Sequence, residues 1–130
     1  MTDLELARHE ILEAHVAIER WFAGSAATAD LAALMARFSE DFCMISPIGA
    51  LFAKADVRAL FDRLYATRPG FRITIDDVRL HGASTDSLLA TYREDQSDAT
   101  GNRTSRRSSA VIEKGSAGLI WRHLHETWLT

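Results

Sequence analysis

Apolar side chains recur every three or four residues along three segments in the first half of the chain, which is the period of an amphipathic helix. The longest segment covers residues 3–24 and ends at Gly24, because glycine commonly terminates a helix. Shorter segments cover residues 29–38 and 55–67, and Pro69-Gly70 follows the last of them. The predicted buried stripe of the first helix comprises Leu4, Ala7, Ile11, Ala14, Ile18 and Trp21.

From residue 71 onward the hydrophobic period shortens to two residues, the alternation of a half-buried β-strand. The alternation slips by one residue at Asp76-Asp77, which predicts a β-bulge that bends the sheet. Proline and glycine favour a turn at Ser46-Pro47-Ile48-Gly49, after a short strand. The predicted strands cover residues 42–46, 71–80, 88–96, 103–113 and 119–127.

Three N-terminal helices packed on a strongly bent antiparallel sheet constitute an α+β fold. The length of 130 residues fits a single domain over residues 1–130. A net charge of -3 argues against a nucleic-acid partner, which requires a basic surface. Because no apolar run approaches the roughly 20 residues of a membrane span, and the acidic start lacks signal-peptide features, we expect a cytoplasmic protein without a membrane partner.

The order of these elements resembles the nuclear transport factor 2-like superfamily with its cystatin-like fold, and within it the SnoaL-like and ketosteroid-isomerase-like members. The first motif behind the resemblance is Glu40-Asp41-Phe42-Cys43-Met44-Ile45-Ser46-Pro47-Ile48-Gly49, followed by a helix that contains Val57-Arg58-Ala59-Leu60-Phe61. The second motif is the last hairpin, in which Trp121, His123 and His125 alternate. The resemblance implies a cone, in which the sheet curls around a helix and leaves an internal pocket.

The resemblance also places Ser46 at the position of the aspartate that serves as general base in ketosteroid isomerase. A serine hydroxyl cannot abstract a proton near neutral pH without a partner base. The sequence therefore predicts that steroid-isomerase chemistry is absent.

Pairing the last three strands through their loops places Arg106 opposite both Glu126 and Arg93, although a shift of one residue would exchange the faces. The more aliphatic face is assigned to the pocket, and the face with aromatic and histidine side chains to a homodimer interface, which the resemblance also implies. The predicted pocket residues are Ser46, Arg93, Arg106, Arg122, Glu126 and Trp128. The predicted dimer face carries Tyr92, Arg107, Trp121, His123 and His125.

Arginines on the predicted pocket wall favour an anionic or carbonyl-bearing small-molecule ligand, because guanidinium groups bind carboxylates in bidentate fashion. An Arg106–Glu126 salt bridge at a wet rim would explain these charges without a ligand. His123 and His125 lack a local third ligand, so neither a metal nor another cofactor is predicted. Four residues separate His15 and Glu19, and a solvated helix contact is favoured over an acid–base pair.

We therefore expect a homodimeric small-molecule-binding domain. One alternative is a cofactor-independent dehydratase, cyclase or isomerase, with Glu126 or Asp41 as base and Arg93 or Arg106 stabilising negative charge. Another is a protein-interaction module with a vestigial pocket. A carboxylate or histidine with a raised pKa inside an apolar pocket would favour the enzyme.

Overall fold

The computed structural model describes residues 1–130. Its helices are α1 (Asp3–Ala23), α2 (Leu31–Met35) and α3 (Lys54–Leu64), with a 3-10 turn (Thr28–Asp30) before α2. Its strands are β1 (Phe38–Ile45), β2 (Leu51–Ala53), β3 (Arg72–Ala83), β4 (Ser87–Ser97), β5 (Arg103–Gly115) and β6 (Gly118–Trp128). None of the helices combines the length and the apolar character that a membrane crossing requires.

Helix α1 has well-defined caps at both ends. The hydroxyl of Thr2 accepts a hydrogen bond from the amide of Glu5 at 3.1 Å, and the Glu5 carboxylate accepts from the Thr2 amide. Gly24 ends the helix at a φ of +83°, and a Cβ there would lie 2.9 Å from that of Ala66. The predicted stripe is buried at four positions along the helix, namely Ala7, Ile11, Ala14 and Trp21.

The second helix is shorter than its periodicity predicts, since α2 ends at Met35 and Phe38 already belongs to β1. The reason is tertiary, because Phe38 pairs with Trp121 of β6 and the segment extends along that strand. Strand β2 was not predicted, and its three residues are too few for an alternation to be recognised.

The six strands form one sheet in the order β2-β1-β6-β5-β4-β3. All neighbours are antiparallel except β1 and β6, which are parallel, so the sheet is mixed rather than wholly antiparallel. The predicted bulge is confirmed, because the β3–β4 register shifts between Asp76 and Arg79, and Asp77 has a φ of +53°. Helices and sheet together confirm the α+β fold.

The strand registers decide which side chains reach the interior. On β4 and β5 Tyr92 pairs with Ser108, one residue away from the predicted pairing, so the two faces of β4 are exchanged. On β5 and β6 Ser108 pairs with Glu126, two residues away from the prediction, which leaves the faces unchanged. A further irregularity then sets Ile112 opposite Trp121 and turns the indole inward.

Candidate functional site

A cavity of about 230 Å³ lies between α1, α3 and the inner face of the sheet. Twelve of its eighteen lining residues are hydrophobic, so its walls favour an apolar ligand. Helix α1 contributes Ile18 and Phe22, α3 contributes Leu60 and Leu64, and Trp121 lines the sheet side. The polar lining residues are His15, Arg68, Glu94, Gln96, Arg106 and Glu126.

His15 and Glu94 form a buried ion pair at the cavity. The Nε2 atom of His15 lies 3.2 Å from Oε1 of Glu94, and both side chains are less than a tenth exposed. The Nδ1 atom lies 2.7 Å from the carbonyl oxygen of Ile11, which can only accept, so Nδ1 carries a proton. A second proton must lie between Nε2 and the Glu94 carboxyl group, because two facing lone pairs would repel each other.

Opposing effects set the pKa values of this pair. Burial is the largest single influence on His15 and would lower its pKa, but the charge of Glu94 together with the hydrogen bonds to Glu94 and Ile11 raises that pKa above its usual value. Burial alone would raise the pKa of Glu94, but His15 and a hydrogen bond from Gln96 at 2.7 Å lower it instead. The pair is therefore an imidazolium and a carboxylate near neutral pH.

A second buried pair joins neighbouring strands on the same wall. An Nη1 atom of Arg106 lies 3.3 Å from Oε1 of Glu126, and the two side chains are 13% and 5% exposed. The guanidinium group of Arg106 also lies over the ring of Trp128, 4.7 Å from its centre. Burial and the nearby charge of Glu94 raise the pKa of Glu126, against the attraction of Arg106.

A chain of hydrogen bonds leads from Glu94 to the rim of the cavity. The Gln96 side chain donates to Glu94 and accepts from Arg68 at 3.2 Å. Arg68 in turn pairs with Asp98 at 2.9 Å and lies over the ring of Phe71. The positive charge of Arg68 is therefore already balanced by the carboxylate of Asp98.

Two of the residues predicted for the pocket, Arg106 and Glu126, line the cavity. The other four lie outside it. The exchanged faces of β4 turn Arg93 outward, where it pairs with Asp95, and the β6 irregularity turns Arg122 toward Asp41 and Glu113.

Ser46 does not line the cavity either. It lies in the predicted turn, where the Gly49 amide donates to its carbonyl at 2.8 Å and its hydroxyl accepts from Ala50. Trp128 is 42% exposed and does not line the cavity, and its ring centre lies 4.7 Å from the guanidinium carbon of Arg106. Asp41, one of the two candidate bases, is 69% exposed beside Arg122 on the outside.

The observed strand registers place the residues of the predicted dimer face on two different sides of the sheet. Tyr92 and Trp121 are buried inside the molecule, at 0% and 2% exposure, and cannot form an outer surface. Arg107, His123 and His125 do lie on the outer face, with Arg107 paired to Asp77. No group of three or more histidine, cysteine, aspartate or glutamate side chains is arranged to hold a metal ion.

The sequence interpretation considered His15 but missed its buried partner Glu94. The favoured partner of His15 was Glu19, but the Glu19 carboxylate accepts from the amide of Ile73 at 2.8 Å instead. One signal was available, because His15 follows Ile11 by one helical turn on the buried side of α1. Another was the alternation of Leu88, Ala90, Tyr92 and Glu94, which carries an acidic residue onto a fully buried face.

Comparison with known proteins supports the fold expected from the sequence. The model of the SnoaL-like domain family matches residues 18–123. The crystal structure of an NTF-2 like protein of unknown function from Pseudomonas aeruginosa is similar, with 45% identity and a TM-score of 0.92. The match covers 96% of this chain and 99% of that one. The nuclear transport factor 2-like architecture is thereby confirmed.

More distant structures share the fold alone. The ActVI-ORFA protein from Streptomyces coelicolor is 23% identical at a TM-score of 0.67, covering 94% of this chain and 96% of that one. A ketosteroid isomerase-like protein from Erwinia carotovora is 15% identical at a TM-score of 0.69, covering 98% and 97%. None of the curated proteins matches the chain.

Proposed function

The chain belongs to the SnoaL-like domain family, and from that premise we propose that it binds a small, mostly apolar molecule in the cavity and transfers protons to or from it. The activity would be that of a cofactor-independent acid–base enzyme of the dehydratase, cyclase or isomerase kind. The observation that carries this proposal is the His15–Glu94 pair in an otherwise apolar cavity.

The dimensions and walls of the cavity support small-molecule binding. An apolar cavity of about 150 Å³ holds benzene. A cavity of about 230 Å³ therefore accommodates a substituted ring, and phenylalanines such as Phe22 and Phe61 would contact it. Burial of the ligand's apolar surface would supply most of the binding free energy, and the polar groups would fix its orientation.

The two titratable pairs support proton transfer. The pKa values of His15 and Glu126 are both raised above their usual values, and both groups are buried beside apolar walls. In such an environment the pKa of a general acid or base can be tuned toward neutral pH. The protonated His15 would donate a proton, and Glu94 would compensate its charge. Glu126 would accept a proton, held in place by Arg106.

A second candidate is binding without turnover. Both nitrogens of His15 already face partners, the Ile11 carbonyl and the Glu94 carboxylate, so the imidazole would have to exchange one of them for the ligand. The same pair would then serve stability, and the cavity would act as a carrier or sensor site.

Homodimerisation through the outer sheet face remains part of the proposal, with a revised set of residues. Leu89 is 42% exposed there, and Val111 and His123 are half-buried neighbours. An apolar patch flanked by histidine and by Arg107 has the composition of a protein interface.

A fragment screen in deuterated water separates enzyme from carrier. Small neutral ketones and phenols would be ranked by thermal stabilisation, and each bound compound then followed by NMR for exchange of its acidic C–H protons. Binding with exchange that Glu94→Gln and Glu126→Gln abolish supports the enzyme, whereas binding without exchange supports the carrier. Leu64→Trp, which narrows the cavity, should prevent both, and Arg103→Met on the outside should change neither.

A further inference from the structure

An open groove of about 600 Å³ lies outside the cavity, where β4 and the start of β5 meet the end of β6. Three arginines and two hydroxyl-bearing residues line it, namely Arg93, Arg103, Arg107, Thr104 and Ser105, and its lining includes no acidic side chain. We call it the arginine groove. It shares none of its lining residues with the cavity. In a protein with a net charge of -3, it is a local concentration of positive charge.

Two arginines of the arginine groove are direct neighbours. Arg93 and Arg107 stand opposite each other across β4 and β5, with side chains 42% and 43% exposed. Like charges in directly opposite positions destabilise a sheet. Each guanidinium group therefore turns to a carboxylate of its own, Arg93 to Asp95 at 3.2 Å and Arg107 to Asp77 at 3.0 Å. An anion bound between the two guanidinium groups would remove the same repulsion.

The arginines of the groove can turn to a ligand without leaving a carboxylate alone. Asp77 also pairs with Arg79 at 2.8 Å, and Asp95 also accepts a hydrogen bond from the hydroxyl of Ser105. Exposed ion pairs contribute little to stability, so exchanging them for contacts with a ligand costs little. Arg103 is exposed and makes no ion pair within the protein, so its charge needs no exchange at all.

Phosphate is the anion that three guanidinium groups suit best. An arginine can donate two parallel hydrogen bonds to a phosphate group, and a phosphate monoester offers three terminal oxygens and about two negative charges near neutral pH. The indole of Trp128, 42% exposed, lines the same groove and offers an apolar surface to a planar group. We infer that the arginine groove binds a phosphate monoester that carries a planar ring, with the phosphate between Arg93, Arg103 and Arg107. Because the groove is separate from the cavity, the inference does not depend on the proposed function.

Three probes test the inference: phenyl phosphate, methyl phosphate and dimethyl phosphate. Their affinities would be measured near neutral pH by NMR titration that follows the indole N–H of Trp128, at low ionic strength because salt screens exposed charges. We expect methyl phosphate to bind at least tenfold more tightly than dimethyl phosphate, which has one negative charge fewer. Phenyl phosphate should bind at least threefold more tightly than methyl phosphate, because its ring packs against the indole.

A pair of arginine variants separates a specific site from general surface charge. Arg103→Met removes the arginine that has no ion-pair partner, so it should weaken the binding of phenyl phosphate at least tenfold while the protein stays folded. Arg63→Met removes the same charge from an exposed position on α3 outside the groove, and it should leave the affinity unchanged. Circular dichroism of both variants excludes unfolding as the cause of a lost signal.

The inference is overturned if Arg63→Met weakens binding as much as Arg103→Met, since net charge alone would then attract the probes. It is also overturned if dimethyl phosphate binds as tightly as methyl phosphate, or if phenyl phosphate binds no more tightly than methyl phosphate. Shifts of the Trp121 resonance without shifts of Trp128 would place the probes in the cavity and remove the groove as their site. Absence of any shift at millimolar concentration would have the same consequence.

Discussion

The side chains of His15 on α1 and Glu94 on β4 meet inside the protein, with Nε2 of the imidazole 3.2 Å from Oε1 of the carboxylate. Neither residue has solvent to stabilise its charge, so each depends on the other. This pair joins helix α1 to β4, the strand next to the sheet edge, and at the same time lines the cavity. Stability and proposed chemistry are therefore linked through the same two groups.

The pair predicts a defined pH window of stability. The raised pKa of His15 contributes stability that is complete below its unfolded value near 6.5 and is lost as pH rises through the folded value. The lowered pKa of Glu94, about 2, contributes stability that is present above 4.5 and is lost as pH falls toward 2. Urea unfolding should show that His15→Gln costs about 3–5 kcal/mol near pH 6.

The cost of His15→Gln should shrink as pH rises and the wild-type imidazole loses its proton. His9→Gln, an exposed change on the same helix, provides the matched control and should cost under about 0.5 kcal/mol at every pH. A pH-independent cost of His15→Gln would show that the ion pair is not the source of the stability.

Loss of the arginine should cost more stability in the buried Arg106–Glu126 pair than in an exposed pair on the same sheet. Arg106→Met leaves Glu126 buried without its cation and should cost about 3–5 kcal/mol. Arg93→Met breaks the pair with Asp95, whose members are 42% and 38% exposed, and should cost under about 1 kcal/mol. Chemical denaturation measures both.

Combining Arg106→Met with Glu126→Gln completes a double-mutant cycle for the Arg106–Glu126 pair. Because both changes remove the same interaction, the double variant should be less destabilised than the sum of the single ones. Additive costs would mean that the two side chains act independently, despite their distance of 3.3 Å.

The protein should not isomerise a β,γ-unsaturated ketosteroid. Ser46 stands at the position of the isomerase base, and the structure adds that its side chain does not line the cavity. A spectrophotometric assay should detect no turnover, and Ser46→Asp should not create any; turnover by the wild type would contradict the argument.

The outer sheet face should mediate association of two copies. Leu89→Glu and Val111→Glu place charges on this face and should shift a dimer toward monomer in sedimentation equilibrium at micromolar concentration. Leu12→Glu, at a position 41% exposed on α1, should leave the association unchanged. A wild-type protein that stays monomeric at these concentrations would refute the proposed interface.

Much of the site could not be predicted from the sequence, because local hydrophobic patterns do not determine which residues pair across neighbouring strands. The predicted β5–β6 pairing was two residues away from the observed one, so Arg106 and Glu126 still fell on the inner face. The β4–β5 pairing was one residue away, and Arg93 and Tyr92 exchanged sides. An even error preserves a face, whereas an odd error inverts it.

The sequence by itself determined the three helices, the long strands, the end of α1 at Gly24 and the bulge at Asp76-Asp77, because periodicity and turn residues act over a few neighbouring positions. Only the tertiary structure decided that β1 runs parallel to β6, that Trp121 turns inward, and that His15 meets Glu94. These relationships join residues far apart in the chain. They follow from how the whole sheet curves around α1 and from which alignment buries the most apolar surface.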